Sequence, residues 1–244
     1  MNHRDTETQC EPGRLAPSPE PIRGDYTWLL WQLADSAFPT GGFAHSGGLE
    51  AASQHQEVRG GSELMEFLRT ALSQLGHASL PFVHASFRGE PGFNDVDQSC
   101  DAFLSNHVSN RASRLQGRAF LATVERTFAL PLLSQFREAL QDDESPSHSA
   151  PVFGKVAGLL NLDAQATSRL FVFMQLRGWT SAAVRLNLVG PLEAQAIQHR
   201  LSGDAENAAS RFGDVALEDV AQTAPLLDLW QGTQDRLYSR LFQT

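Results

Sequence analysis

The densest collection of chemically capable residues is the segment DSAFPTGGFAHSGGLE, running from Asp35 to Glu50, which holds four glycines, Pro39, His45 and carboxylates at both ends. A glycine-rich turn that opens a helix can cradle phosphate on its backbone N–H groups. The spacing here fits neither G-x-x-x-x-G-K-S/T nor G-x-G-x-x-G, and no lysine follows, which argues against a nucleotide site. The plainer reading is a tight interhelical loop. Glycine permits positive φ and close backbone approach, and Pro39 stiffens the turn. Metal chemistry is equally poorly served. The histidines stand at 3, 45, 55, 77, 84, 107, 148 and 199, and the cysteines at 10 and 100. None forms an H-x-x-x-H, H-x-H or C-x-x-C pair. On one helix His77 and His84 would stand about 10 Å apart, too far for one ion, and Pro81 lies between them. His45 and Glu50 are five apart and suit an ion no better. No G-x-S-x-G elbow is present, and Cys100 lacks a nucleophile's flanks. The residues therefore describe a binding or scaffolding protein without a visible active site. The alternative of another class is a helical enzyme built on His45, Glu50 and an arginine from 111–118 around the glycine loop.

Charge supplies a second candidate. In Asn110–Ala129, Arg111, Arg114, Arg118 and Glu125 fall within a helical wedge of about 60°. Such a wedge is either a solvated stripe or a docking face for carboxylates, which arginine pairs bidentately. It also motivates a third reading, an arginine supplied in trans to a GTPase. Gly117, beside Leu121, Val124 and Phe128, would let a neighbouring element approach closely.

The elements that must position these residues are helical. Tyr26–Leu33 carries apolar groups at helical spacing. Ser62 is expected to cap a helix with Leu64, Phe67, Leu68, Ala71, Leu72 and Leu75 on one face. Asn94 starts another through Val96, Phe103, Leu104 and His107. Further helices are expected over Asn110–Ala129 and Val152–Leu160, after an Asp163 cap, and after Gly190–Pro191. Ala164–Val189 is apolar on nearly every face, the mark of a central helix or an oligomer seam. Strand signals are nearly absent. The expected fold is all-α, a single-domain bundle of roughly eight to ten helices. Residues 1–24, with four prolines, read as a disordered tail, and 25–244 as the domain. Polar breaks are expected at Arg88–Asn94 and Gln141–Ala150.

Gly232 is expected to stop a helix after Leu227, Leu229 and Trp230. The remainder, to Thr244, reads as a short tail with Leu237, Tyr238, Leu241 and Phe242. In a helical turn Arg236 and Arg240 would stack. The tail either packs back on its own bundle or orders on a partner, aromatic and arginine anchors being typical hot spots.

Composition narrows the class. Against 28 acids stand 19 bases, a net charge of −9, and 41% of the 244 residues are hydrophobic. That balance argues against nucleic acid as a partner and supplies a real core. Two cysteines fit a reducing compartment. No apolar leader or bilayer-length segment is visible, so the expectation is a soluble, cytoplasmic protein that binds no membrane.

Several segments in order resemble the UreF family of urease accessory proteins, in a form closer to its eukaryotic members. WLLWQLADSAFPTGGFAHSGGLEAA (Trp28–Ala52) resembles the family's N-terminal signature, through Pro39, Gly41, Gly42, Phe43, His45, Ser46, Gly48 and Glu50. RASRLQGR (Arg111–Arg118), APVFG (Ala150–Gly154, with His148 slightly out of register), AAVRLNLVGPLEAQ (including Arg185 and Gln195) and DRLYSRLF (Asp235–Phe242) resemble later family segments. The resemblance implies an all-α homodimer that takes part in urease maturation without chemistry of its own. It would bridge a UreD/UreH-type protein and the GTPase UreG, so that GTP hydrolysis drives nickel into apo-urease by an internal passage. Nickel and GTP would be handled by the partners, with no cofactor or metal held stably by this chain. Partner-binding would fall to the tail 232–244, through Arg236, Leu237, Tyr238, Ser239, Arg240, Leu241 and Phe242, and to Arg111, Arg114 and Arg118.

Overall fold

A computed structural model describes residues 26–142, 145–211 and 215–243. The expected N-terminal tail, 1–24, lies outside them. Among the described residues there is no strand. The described residues form twelve α-helices, slightly more than expected: α1 Thr27–Ala34, α2 Leu49–Gln54, α3 Gly61–Ala78, α4 Leu80–Arg88, α5 Phe93–Phe103, α6 His107–Phe128, α7 Pro131–Asp142, α8 Ser149–Leu159, α9 Ala164–Arg185, α10 Pro191–Arg200, α11 Ser202–Arg211 and α12 Pro225–Thr233. Short 3₁₀ turns cover Gly42–Ala44, Leu217–Asp219 and Gln234–Arg236.

The apolar α9 is the hub of the bundle, packed against α1, α2, α3, α4, α8, α10 and α11. Its uniform apolarity thus reflects burial among its own neighbours. Local chemistry starts it: Asp163 Oδ1 accepts from the Ala166 N–H at 2.7 Å, the expected cap. Gly190 and Pro191 likewise open α10. The expected face of α3, from Leu64 to Leu75, is buried.

Three expectations about helix ends are corrected. Gly60, at φ +129°, precedes α3, and Ser62 sits inside its first turn. Glu63 supplies the reach-back, accepting from the Arg59 N–H at 2.8 Å. The helix expected to run from Asn94 through His107 is broken at Leu104. There Asn106 Oδ1 accepts from the N–H groups of Val108 and Ser109, at 3.0 and 3.4 Å, and begins α6. Gly232 does not stop α12; it lies within the last turn, where a β-carbon would meet Asn106 Nδ2 at 3.2 Å.

The closest packing is around α8. A β-carbon on Gly154 would stand 2.0 Å from the Val83 carbonyl oxygen of α4. One on Gly117 of α6 would stand 2.1 Å from the Ser147 carbonyl oxygen, in the segment leading into α8. That segment was expected as a polar break, yet Ser145, Ser147 and His148 are buried. The buried Asp97 carboxylate explains it. It accepts from the Ser147 and His148 N–H groups, at 2.7 and 2.8 Å, and from the Ser145 hydroxyl. A polar loop is buried at tolerable cost once its donors are satisfied.

Candidate partner-binding surface

The glycine-rich segment is a close-packed loop between α1 and α2. Gly41 has φ +79°, and a β-carbon there would touch Ala119 of α6 at 3.0 Å. Gly47 has φ +63° and faces Trp179 of α9, whose Nε1 would lie 2.6 Å from a β-carbon. A side chain at either position meets both a strained backbone and an occupied space. Pro39 is fixed through its carbonyl, which accepts from Thr123 Oγ1 at 2.8 Å.

Glu50, in the first turn of α2, is 2% exposed and organises the C-terminus. Its Oε1 accepts from the Leu241 N–H at 2.6 Å. Its Oε2 accepts from the Phe242 N–H at 3.1 Å and from Gln234 Nε2 at 2.6 Å. Ser46, also buried, receives the Glu50 N–H on its hydroxyl at 3.3 Å. The tail is held further by Gln243 N–H to the Ala44 carbonyl and by Gln54 Nε2 to the Ser239 carbonyl, both at 2.8 Å. The segment after the last 3₁₀ turn is an irregular, bent stretch and not helical, so Arg236 and Arg240 do not stack as one helical face. A buried carboxylate that accepts three hydrogen bonds outweighs the local helical spacing of a few side chains.

Arg185, at the end of α9, joins the two segments. Its guanidinium lies 3.8 Å from the Phe43 ring centroid and 4.1 Å from that of Phe242, and it donates to the Phe43 carbonyl. Asp235 is a second clasp. It accepts two hydrogen bonds from Arg111, at 2.9 and 3.0 Å, and a third from Arg240 at 3.1 Å, and faces His107 at 3.4 Å. These cations hold its carboxyl below the usual range, Arg111 first.

The structure thus brings together Phe43, Ser46, Glu50, Arg185, Arg111 and the tail. Phe242 is part of the core, whereas Tyr238 is fully exposed and Phe43 and Leu241 are 70% and 53% exposed. Gln195 does not join them; it lines a separate groove with Val172, Phe173 and Leu176. Arg114 and Arg118 line another groove, between α6 and α7. Sequence reasoning missed Gln234 and Asp235, whose partners are remote in the chain and leave no periodic trace.

Behind the loop lie two half-open pockets of about 200 and 100 Å³, whose walls share His45, Gln116, Gln175 and Trp179. Among the described residues no group of three or more His, Cys, Asp or Glu is placed to hold a metal ion. Burial, with Arg111 adding repulsion, lowers the His45 pKa to about 4. Between that value and the ordinary 6.5 the unfolded chain binds a proton that the folded chain refuses. Stability therefore falls as pH drops through this window. A histidine-ring NMR titration should find His45 neutral down to about pH 5, and a midpoint near 6.5 would overturn the assignment.

The UreF family model matches residues 58–202. Urease accessory protein F of Oryza sativa subsp. indica is 41% identical over 221 residues, 89% of this chain and 85% of that protein. The Arabidopsis thaliana protein of the same name is 38% identical over 219 residues, 88% of this chain and 91% of that one. An uncharacterized urease accessory protein UreF-like of Schizosaccharomyces pombe is 28% identical over 228 residues, 89% and 97% respectively. Among the described residues no helix is long and apolar enough to cross a membrane. With the helical fold and the order of its motifs, these matches place the chain in the UreF family of urease accessory proteins.

Proposed function

We propose that the chain is a non-catalytic cytoplasmic scaffold that joins a UreD/UreH-type protein to the GTPase UreG, for GTP-dependent nickel insertion into apo-urease. The observation that carries the docking reading is a tail fastened by Glu50 and Asp235 yet presenting Tyr238 and Leu241 to solvent, with Phe43 also exposed. Exposed apolar groups on a fixed backbone lose little conformational freedom on binding, as hot spots require. Arg236, exposed on the same tail, suits a carboxylate on the partner, while Arg240 is paired with Asp235. The two adjoining pockets support a nickel route past His45, Gln116 and Gln175, with the metal as cargo and held stably by partner proteins. Trp28 and Trp31, 78% and 59% exposed on α1, support a homodimer seam on that helix. Light scattering should give a dimer mass that the Trp28→Ser/Trp31→Ser variant loses.

The test of the scaffold is co-purification with the UreD/UreH-type protein. Tyr238→Ala and Leu241→Ala should each weaken the complex by about 1–3 kcal/mol, while thermal stability is retained. Unchanged affinity in the double variant would remove the tail surface from the interface.

A further inference from the structure

The two pockets behind the glycine-rich loop share a wall whose polar groups are left over. Gln116 of α6 and Gln175 and Trp179 of α9 line both pockets, and all three are half-buried. Among the described residues, neither glutamine amide nor the Trp179 indole N–H has a hydrogen-bond partner. Nearby polar groups are engaged with one another. The Ser113 and Ser149 hydroxyls are bonded at 3.2 Å, and Gln231 accepts from Ser109 Oγ and donates to the Gly47 carbonyl. Each free carboxamide offers an acceptor and two N–H donors, and the indole one donor. Beside them runs a chain of buried phenyl rings. Phe120 stacks on Phe153 at 5.3 Å between centroids, and Phe153 meets Phe171 at 5.1 Å.

An apolar wall with a few convergent polar groups is the usual make-up of a small-molecule site. Charge decides the class of ligand. Among the residues lining the smaller pocket only His45 can ionise, and burial keeps it neutral near pH 7. The larger pocket adds the Cys100 thiol, which burial holds protonated, and the Asp228 carboxylate, which accepts from Asn106 Nδ2 at 3.1 Å. An ion set against the phenyl rings and the two amides loses its hydration without gaining a counter-charge. A neutral aromatic ring instead packs on the phenylalanines, and an amide carried on it exchanges hydrogen bonds with the glutamines. The room is sufficient for one ring, since an apolar cavity of about 150 Å³ holds benzene.

We infer that these pockets bind a small, neutral, planar aromatic carboxamide, its ring against Phe120, Phe153 and Phe171 and its amide paired with Gln116 and Gln175. The inference is independent of the scaffold reading, and its test uses this chain alone; an occupant would close the nickel route proposed through the same space. Benzamide, benzoate and benzamidine share one ring and nearly one shape, but are neutral, anionic and cationic at neutral pH. Each is titrated into the intact chain while the Trp179 indole N–H is followed by NMR, its signal assigned by its loss in Trp179→Phe. Benzamide should shift that signal saturably, with a Kd of about 1 mM or tighter, within reach of a single-ring ligand. Benzoate and benzamidine should bind at least about tenfold more weakly. Gln116→Met/Gln175→Met keeps the side-chain length but removes both amides, and should weaken benzamide by about tenfold at unchanged helicity. Should that variant not fold, the order of the three ligands on the unaltered chain decides. Absence of a saturable shift with benzamide, or unchanged affinity in the folded variant, overturns the inference. Benzoate or benzamidine binding as tightly as benzamide overturns it too, and tighter benzamidine assigns the space to cations drawn by Asp228.

Discussion

Gly154→Ala is expected to destabilise the protein by about 3 kcal/mol or more, the upper end for overpacking. The reason is what the new methyl group would meet. It would stand 2.0 Å from the Val83 carbonyl oxygen and 2.9 Å from the Val83 carbonyl carbon. Backbone atoms cannot swing aside as a side-chain tip can, so α8 and α4 must separate along their contact. That separation loosens Val152, Phe153 and Val156, all buried in the common core. For a chain of this size the loss corresponds to roughly 6–12 °C in melting temperature. Gly178→Ala is the internal control. Gly178 is also helical, in α9, but a β-carbon there has nothing within 4 Å. Its replacement should be stabilising by roughly 0.5–1 kcal/mol, from propensity alone. Two glycine-to-alanine changes in helices should thus move the melting temperature in opposite directions. If both moved it by the same small amount, the α4–α8 contact would not be as close as described.

The second large effect is expected from Glu50→Ala. Three donors, the N–H groups of Leu241 and Phe242 and the Gln234 amide, lose a buried charged acceptor. Hydrogen bonds to charged groups contribute about 1.5–3 kcal/mol each. The tail is terminal and can leave, so the protein should release it before the bundle unfolds. Each 1.4 kcal/mol multiplies the open fraction about tenfold. Trypsin should then cut after Arg236 and Arg240 at least about tenfold faster, while cleavage within the bundle is unchanged. A variant with wild-type cleavage at both sites would show that other contacts, such as the Arg185 stack on Phe242, hold the tail without Glu50.

The helical class and most helix positions were legible because they depend on neighbours in sequence. Asp163 caps α9 through a residue three positions on, and Gly190–Pro191 opens α10 by backbone preference. Gly117 was readable as a place of close approach, since its neighbours on the helix face are large. Misread ends have a common cause. Asn106 interrupts an apolar pattern that Phe103, Leu104 and His107 continue, and periodicity has no means of registering a side-chain cap. The tail has helical spacing, but its conformation is set by Glu50, almost the whole chain away. The segment before α8 looks like an exposed polar loop because its acceptor, Asp97, lies in another helix. The arginine wedge was visible at once. Its division into a clasp at Arg111 and a groove at Arg114 and Arg118 required knowing where Asp235 and Arg137 stand.

The most direct test of the scaffold account is activation of apo-urease, reconstituted from purified components with nickel, GTP, UreG and the UreD/UreH-type protein. The account predicts that urease activity develops when this chain is added, fails to develop without it, and is restored poorly by the Tyr238→Ala/Leu241→Ala variant. Activation to the same extent and at the same rate in the absence of the chain would contradict it.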